Sequence, residues 1–109
     1  MSRRDALSGS LPLLVLKLLA RRGPLHGYAL STFIESISDE ALRVEEGSLY
    51  PALHRLEEEK WIKAKWTTTE TGRRARVYEI TAKGREELET EEERWKTITA
   101  AVGRVLRQA

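Results

Sequence analysis

Val44-Glu45-Glu46-Gly47-Ser48-Leu49-Tyr50-Pro51-Ala52-Leu53-His54-Arg55-Leu56-Glu57 reads as a helix with two unlike sides. Leu49, Ala52, Leu53 and Leu56 recur at spacings of three and four, so they share a face that must be buried. Tyr50, His54, Arg55 and Glu58 point elsewhere. The helix is expected to start near Gly47-Ser48, with Ser48 as its N-cap, and to run to about Lys60. Pro51 then falls in the first turn, where its missing N–H costs little.

Upstream, Tyr28, Ala29, Phe33, Ile34 and Ile37 form the apolar stripe of a helix over His26–Ile37, and Ser38–Arg43 is a short link. Gly27 at its start suits a close approach of helix and backbone. Two helices joined by a short link, the second with a polar outer side, are the ingredients of a helix-turn-helix. Downstream the period changes to two. Ile62, Ala64 and Trp66 alternate with Lys63 and Lys65 in a strand over Trp61–Thr67, and Tyr78 and Ile80 share a face in a second strand over Ala75–Thr81. The connection Thr68–Arg74 holds Glu-Thr-Gly-Arg, a turn signal. A hairpin whose tip carries Arg73, Arg74 and Arg76 is a wing. Trp61 and Trp66 are expected in its core.

The two ends are helical. Ser10–Arg22 has a possible N-cap in Ser10, Pro12 in the first turn, and Gly23-Pro24 as its stop. Leu11, Leu13, Leu14, Val15, Leu16, Leu18 and Leu19 surround its whole circumference. One face would pack on its own domain, and a partner subunit is the simplest cover for the other. From Thr81, a plausible N-cap, to Arg107, the residues Leu88, Trp95, Ile98, Val102 and Val105 are spaced 7, 3, 4 and 3 apart. That is a heptad seam with Glu91 at the missing position. Pairing with a second subunit would bury it; folding back onto its own domain is the alternative. The resulting class is mainly α (α+β): a winged helix-turn-helix with a two-stranded wing over residues 1–85, and a C-terminal dimerisation helix over 86–109 belonging to the same compact unit.

At 109 residues the chain holds one domain, and no large cofactor-binding fold fits beside it. It has no Cys, which excludes disulfides and thiolate chemistry. The longest apolar stretch, Leu11–Leu16 and its extension to Ala20, falls short of the ~20 residues of a membrane span. No leader is legible at Met1–Asp5, so a cytoplasmic protein with no membrane partner is expected. The net charge of +2 hides an asymmetry. Residues 61–85 carry seven Lys/Arg against two Asp/Glu, between two slightly acidic flanks. Such a segment suits a polyanion, nucleic acid above all, although a solvated face has the same composition.

The block quoted above, together with Pro24-Leu25-His26-Gly27-Tyr28-Ala29-Leu30, Arg73-Arg74-Ala75-Arg76-Val77-Tyr78 and Ile80-Thr81-Ala82-Lys83-Gly84, resembles the PadR family of bacterial transcriptional regulators. The single C-terminal helix resembles its short subfamily, in which the first and last helices form a homodimer. The resemblance implies a repressor that binds an inverted-repeat operator in double-stranded DNA and is released by a small molecule. Helix Gly47–Lys60 would then enter the major groove, with Ser48, Tyr50, His54 and Arg55 as contacts, and Tyr28 beside it on the backbone. Packing explains Tyr28 and Tyr50 as well, and solvent exposure explains His54. Arg73, Arg74 and Arg76 would follow the minor groove or its phosphates, with Lys63 and Lys65 weaker candidates. Glu57, Glu58 and Glu59 would keep the end of the helix off the phosphates. Leu14, Leu18, Trp95, Ile98 and Val102 would form the dimer interface. There Trp95 either packs or stacks on a small hydrophobic or aromatic effector.

Other classes fit less well. His54 with Glu57 and Glu58 offers part of a metal face but has no third strong ligand, and no nucleophile–base pair or phosphate-cradling loop is present. Neither catalysis, a metal nor a cofactor is expected. A winged helix that binds protein instead of DNA is the remaining alternative, and three Arg against one Glu over Thr71–Ile80 disfavour it.

Overall fold

The computed structural model describes residues 3–109; Met1 and Ser2, at the start of the segment read for a leader, lie outside them. The elements are α1 (Arg3–Arg22), β1 (Leu25–His26), α2 (Gly27–Ile37), α3 (Glu46–Glu58), β2 (Ile62–Thr68), β3 (Arg74–Ile80) and α4 (Ala82–Gln108). The winged helix-turn-helix and the long last helix are as the sequence reads.

Helix α1 starts seven residues earlier than expected, at Arg3. Ser10 is therefore not its N-cap, and Pro12 stands inside the helix, where it withholds one N–H from the ladder. The added turns carry no apolar period to betray them, and Asp5, Ser8 and Gly9 among them are poor helix formers. Gly23, at φ +83°, stops the helix, and its N–H bonds the Leu19 carbonyl at 3.1 Å.

The two strands of the wing, β2 and β3, belong to a three-stranded sheet whose third strand, β1, the sequence reading does not include. β1 pairs with β3 through Leu25↔Tyr78 and His26↔Val77, and β2 with β3 from Ile62↔Ile80 to Thr68↔Arg74. All pairs are antiparallel, in the order β1-β3-β2. A two-residue strand is too short to show a period, which is why β1 escapes sequence reading.

Helix α3 begins one turn before Ser48. Glu45 is its N-cap, and the Glu45 carbonyl accepts from the N–H groups of Ser48 and Leu49 at 3.0 and 2.9 Å. The expected Ser48 cap is thus displaced into the helix. At the other end Lys60 takes φ +65°. Its N–H bonds the Glu57 carbonyl at 2.9 Å and the Trp61 N–H bonds that of Leu56 at 3.0 Å, a Schellman closure without glycine. The α2–α3 link folds back on Glu35, whose Oε1 accepts from the Val44 N–H at 3.2 Å.

Helix α4 starts where α3 ends. Thr81 caps it, accepting from the Gly84 N–H at 3.0 Å and donating to the Lys60 carbonyl at 2.7 Å. A Cβ on Gly84 would lie 2.0 Å from the Trp61 carbonyl oxygen, so only glycine admits this approach.

The core gathers Leu11, Val15, Leu16 and Leu19 of α1 with Leu30, Leu49, Leu53, Leu56, Ile62 and Tyr78. Helix α1 lies at the centre and touches α2, α3, α4 and β3. Much of its circumference is therefore covered within the chain, by more than the single face expected. Leu18 is buried; Leu13 and Leu14 are half-buried at the edge. The first half of α4 packs on α1, tied by Lys17 Nζ to Glu92 Oε1 at 2.9 Å. Its second half exposes Trp95, Ile98, Val102, Val105 and Leu106.

Candidate nucleic-acid interface

The interface is built around α3. Leu49, Leu53 and Leu56 anchor it in the core, which leaves His54, Arg55 and Glu58 on its outer side. His54 Nε2 lies 2.8 Å from Glu58 Oε1, one turn on. Tyr50, 47 % exposed, flanks that side towards α2. Its hydroxyl occupies the space beside Gly27, 3.1 Å from where a Cβ would sit. Tyr28, at the start of α2, is 81 % exposed. A packing role for its ring is therefore not what the structure supports.

Alternation decides the wing. Ile62, Ala64 and Trp66 on β2 oppose Ile80, Tyr78 and Arg76 on β3, so this face passes from the core outward to the tip. At its outer end Trp66 is 59 % exposed, not the core residue expected. The pleat points it at the same side as Ile62, but the core stops short of it. The Arg74 guanidinium lies 4.8 Å from the centroid of its ring and that of Arg76 5.7 Å, within cation–π reach. Trp61, by contrast, does pack against the core. Arg73 sits in the turn, its N–H bonded to Thr69 Oγ1 at 3.2 Å. Lys65 is on the opposite face, 3.5 Å from Glu79.

Tyr28, Tyr50, Trp66, Arg74, Arg76 and Tyr78 together line an open cleft of about 520 Å³ between the wing and the start of α2, with Tyr50 the one contribution of α3. Ser48 and Arg55 line a separate hollow of about 260 Å³ on the other flank of α3, with Pro51 and Leu11. His54 is part of neither. The cleft has aromatic walls and guanidinium ends, a surface that fits a sugar–phosphate strand. Burial pushes the Tyr78 phenol above its ordinary pKa; Arg76 opposes the shift, and Glu57 and Tyr50 add to it.

Sequence reasoning missed two participants. Trp66 was legible as the residue across from Arg76, had the end of the core been placed. Glu57 has a partner on the wing: its carboxylate receives the Arg76 guanidinium, Nη2 to Oε1, at 2.8 Å. Nothing in local sequence pairs residues nineteen apart.

The remaining expected residues occupy two apolar surfaces. Leu14 and Leu18 line a groove of about 200 Å³ with Ile34, Ile37 and Leu42. Trp95, Ile98 and Val102 run along exposed α4. Among the described residues no cluster of three His, Cys, Asp or Glu is placed to hold a metal, and no helix is long and apolar enough to cross a membrane.

The sequence profile of the "Transcriptional regulator PadR-like family" matches residues 15–90. The chain belongs to the PadR-like family. PadR-like proteins are transcriptional regulators, not enzymes. A transcriptional regulator from Clostridium thermocellum is 30% identical and superposes with a TM-score of 0.83 over 92% of this chain and 96% of its own. A PadR-like regulator from Bacillus cereus is also 30% identical, with a TM-score of 0.81 over 96% and 99% of the two chains. Bacillus subtilis PadR, solved in complex with operator DNA, is 28% identical with a TM-score of 0.65. It is aligned over 73% of this chain and 45% of that longer one. The PadR match spans α3, the wing and the start of α4.

Proposed function

We propose that the protein is a homodimeric DNA-binding repressor that recognises an inverted-repeat operator and leaves it when a small hydrophobic or aromatic effector binds. The observation that carries this reading is the placement of Arg73, Arg74 and Arg76 on a wing beside the exposed side of α3. Both surfaces face outward, and the B. subtilis relative of this fold is known on operator DNA. In this reading α3 enters the major groove and Arg55 reads a base edge or holds a phosphate. Ser48, near the N-terminus of α3, supplies a hydroxyl to the backbone. Tyr50, His54 and Tyr28 contact the flanks, and the wing follows the adjacent strand.

Residues 1–85 act as the DNA-binding part and 86–109 as the dimerisation helix of one unit. The exposed Trp95, Ile98 and Val102 of α4 and the groove at Leu14 and Leu18 are the apolar surfaces that a second copy would cover. Trp95 near the dyad is then the residue placed to stack on an effector.

Selection of bound sequences from a random double-stranded DNA pool tests the reading, with wild type beside an Arg73/Arg74/Arg76→Ala variant. The expected result is an inverted repeat recovered by wild type and lost or strongly depleted by the variant. Recovery of nothing above background by folded wild type at low salt would overturn it and favour a winged helix that binds protein.

A further inference from the structure

The three wing arginines are not equivalent. Arg73 and Arg74 have no carboxylate partner among the described residues, and Arg74 only stacks on the exposed Trp66. Arg76 is engaged on several sides. Its Nη2 lies 2.8 Å from Glu57 Oε1, and its guanidinium rests 5.7 Å from the Trp66 centroid and 5.8 Å from that of Tyr78. Glu57 is on α3, two turns beyond Tyr50, and its side chain is only 22% exposed against 44% for Arg76. A phosphate would have to draw Arg76 from a partner that the fold already supplies in a partly desolvated site.

We propose that the Glu57–Arg76 pair is a clasp between recognition helix and wing, and that Arg76 acts on DNA affinity as a positioning residue, not as a phosphate ligand. The covalent link between α3 and the wing runs through the Schellman turn at Lys60 and into β2. β3 neighbours β2 in the sheet, and its inner end is held to that link by the Thr81 N–H, 3.0 Å from the Trp61 carbonyl oxygen. The clasp is a further tie, made from α3 to a point farther out along β3, and it holds Arg76 in place at the cleft into which a strand would lie. Holding Arg76 there before DNA arrives removes an ordering cost from binding. This inference rests on the DNA-binding reading above.

Its test exploits a difference in sign. If Arg76 were a phosphate ligand and Glu57 a repelling charge, Glu57→Gln would tighten binding. For a clasp, Glu57→Gln weakens it, by about threefold for a partly exposed pair. The probe is the duplex recovered by wild type in the selection above, with binding measured across a salt series. Arg76→Gln should weaken binding while leaving the salt slope unchanged. Arg73→Gln or Arg74→Gln should lower the slope by about 0.9 for each phosphate contact removed. The double variant Glu57→Gln/Arg76→Gln should bind no worse than Arg76→Gln alone.

Tighter binding by Glu57→Gln, additive losses in the double variant, or a slope lowered by Arg76→Gln each overturn the clasp while leaving the DNA reading intact. Failure of wild type to bind any duplex overturns both. If a neutral variant fails to fold, as judged by circular dichroism, the exchanged pair Glu57→Arg/Arg76→Glu replaces it at unchanged net charge. Binding recovered relative to both Arg76→Glu and Glu57→Arg alone supports the clasp; no recovery, or binding by Glu57→Arg alone that is tighter than wild type, overturns it.

Discussion

Lys60 holds a backbone conformation that a side chain makes costly. At φ +65° it closes the Schellman turn of α3, a position where glycine escapes the clash between Cβ and carbonyl. Lys60→Gly is therefore expected to raise stability by about 1 kcal/mol, seen as a higher urea midpoint with an unchanged m-value; a lower midpoint would show that the lysine contributes contacts of its own. Individual residues are also where the sequence hides most. The outer side of α3 and the three wing arginines were legible from period and charge. The exposure of Trp66 was not, because alternation gives the face of a residue and not the edge of the core. The Glu57–Arg76 pair is hidden for a related reason. Its two members come from different elements, and only tertiary structure brings them together.

Among the elements, α2, α3, the hairpin and α4 lie within a few residues of where periodicity puts them, because each carries a long apolar stripe. The first turns of α1 and the short β1 lack such a stripe, and both were missed. The contact between α1 and α4 has a pH signature. The hydrogen bond from Lys17 holds the Glu92 carboxyl below its ordinary pKa. A depressed folded-state pKa contributes stability above the unfolded value, and that contribution is lost as pH falls through the folded value. Lys17→Met should thus be less stable than wild type at pH 7, by about 0.5 kcal/mol for so exposed a pair. The gap should close below about pH 4. Urea titrations at several pH values measure it, and a gap independent of pH would mean that Lys17 acts through packing.

For the whole molecule, the unresolved balance is between the covered first half of α4 and its bare second half. Principal extents of 57 × 29 × 21 Å leave that helix reaching past the body. The seam read from the sequence divides in the same way: Leu88 is buried in the chain's own core, whereas Val102 remains 51% exposed. Val102→Asp should leave the thermal midpoint of the isolated body little changed. In sedimentation equilibrium it should shift the protein from dimer to monomer, and it should weaken binding to a full inverted repeat far more than to a half-site. A variant that stays dimeric would place the interface elsewhere.

The meeting of α3, β3 and α4 at Lys60, Trp61, Thr81 and Gly84 has a mechanical consequence. Thr81 is bonded to the end of one helix while it caps the next, and the backbone of Gly84 lies too close to the Trp61 carbonyl for anything to slide between them. That is a joint with almost no play, at the root of a helix of about 40 Å whose second half projects past the body. A tilt of a single degree at the joint carries the far tip by about 0.7 Å. The packing of α4 on α1 and the Lys17–Glu92 pair support the same helix farther along, so a displacement at the tip is shared between α1 and the end of α3.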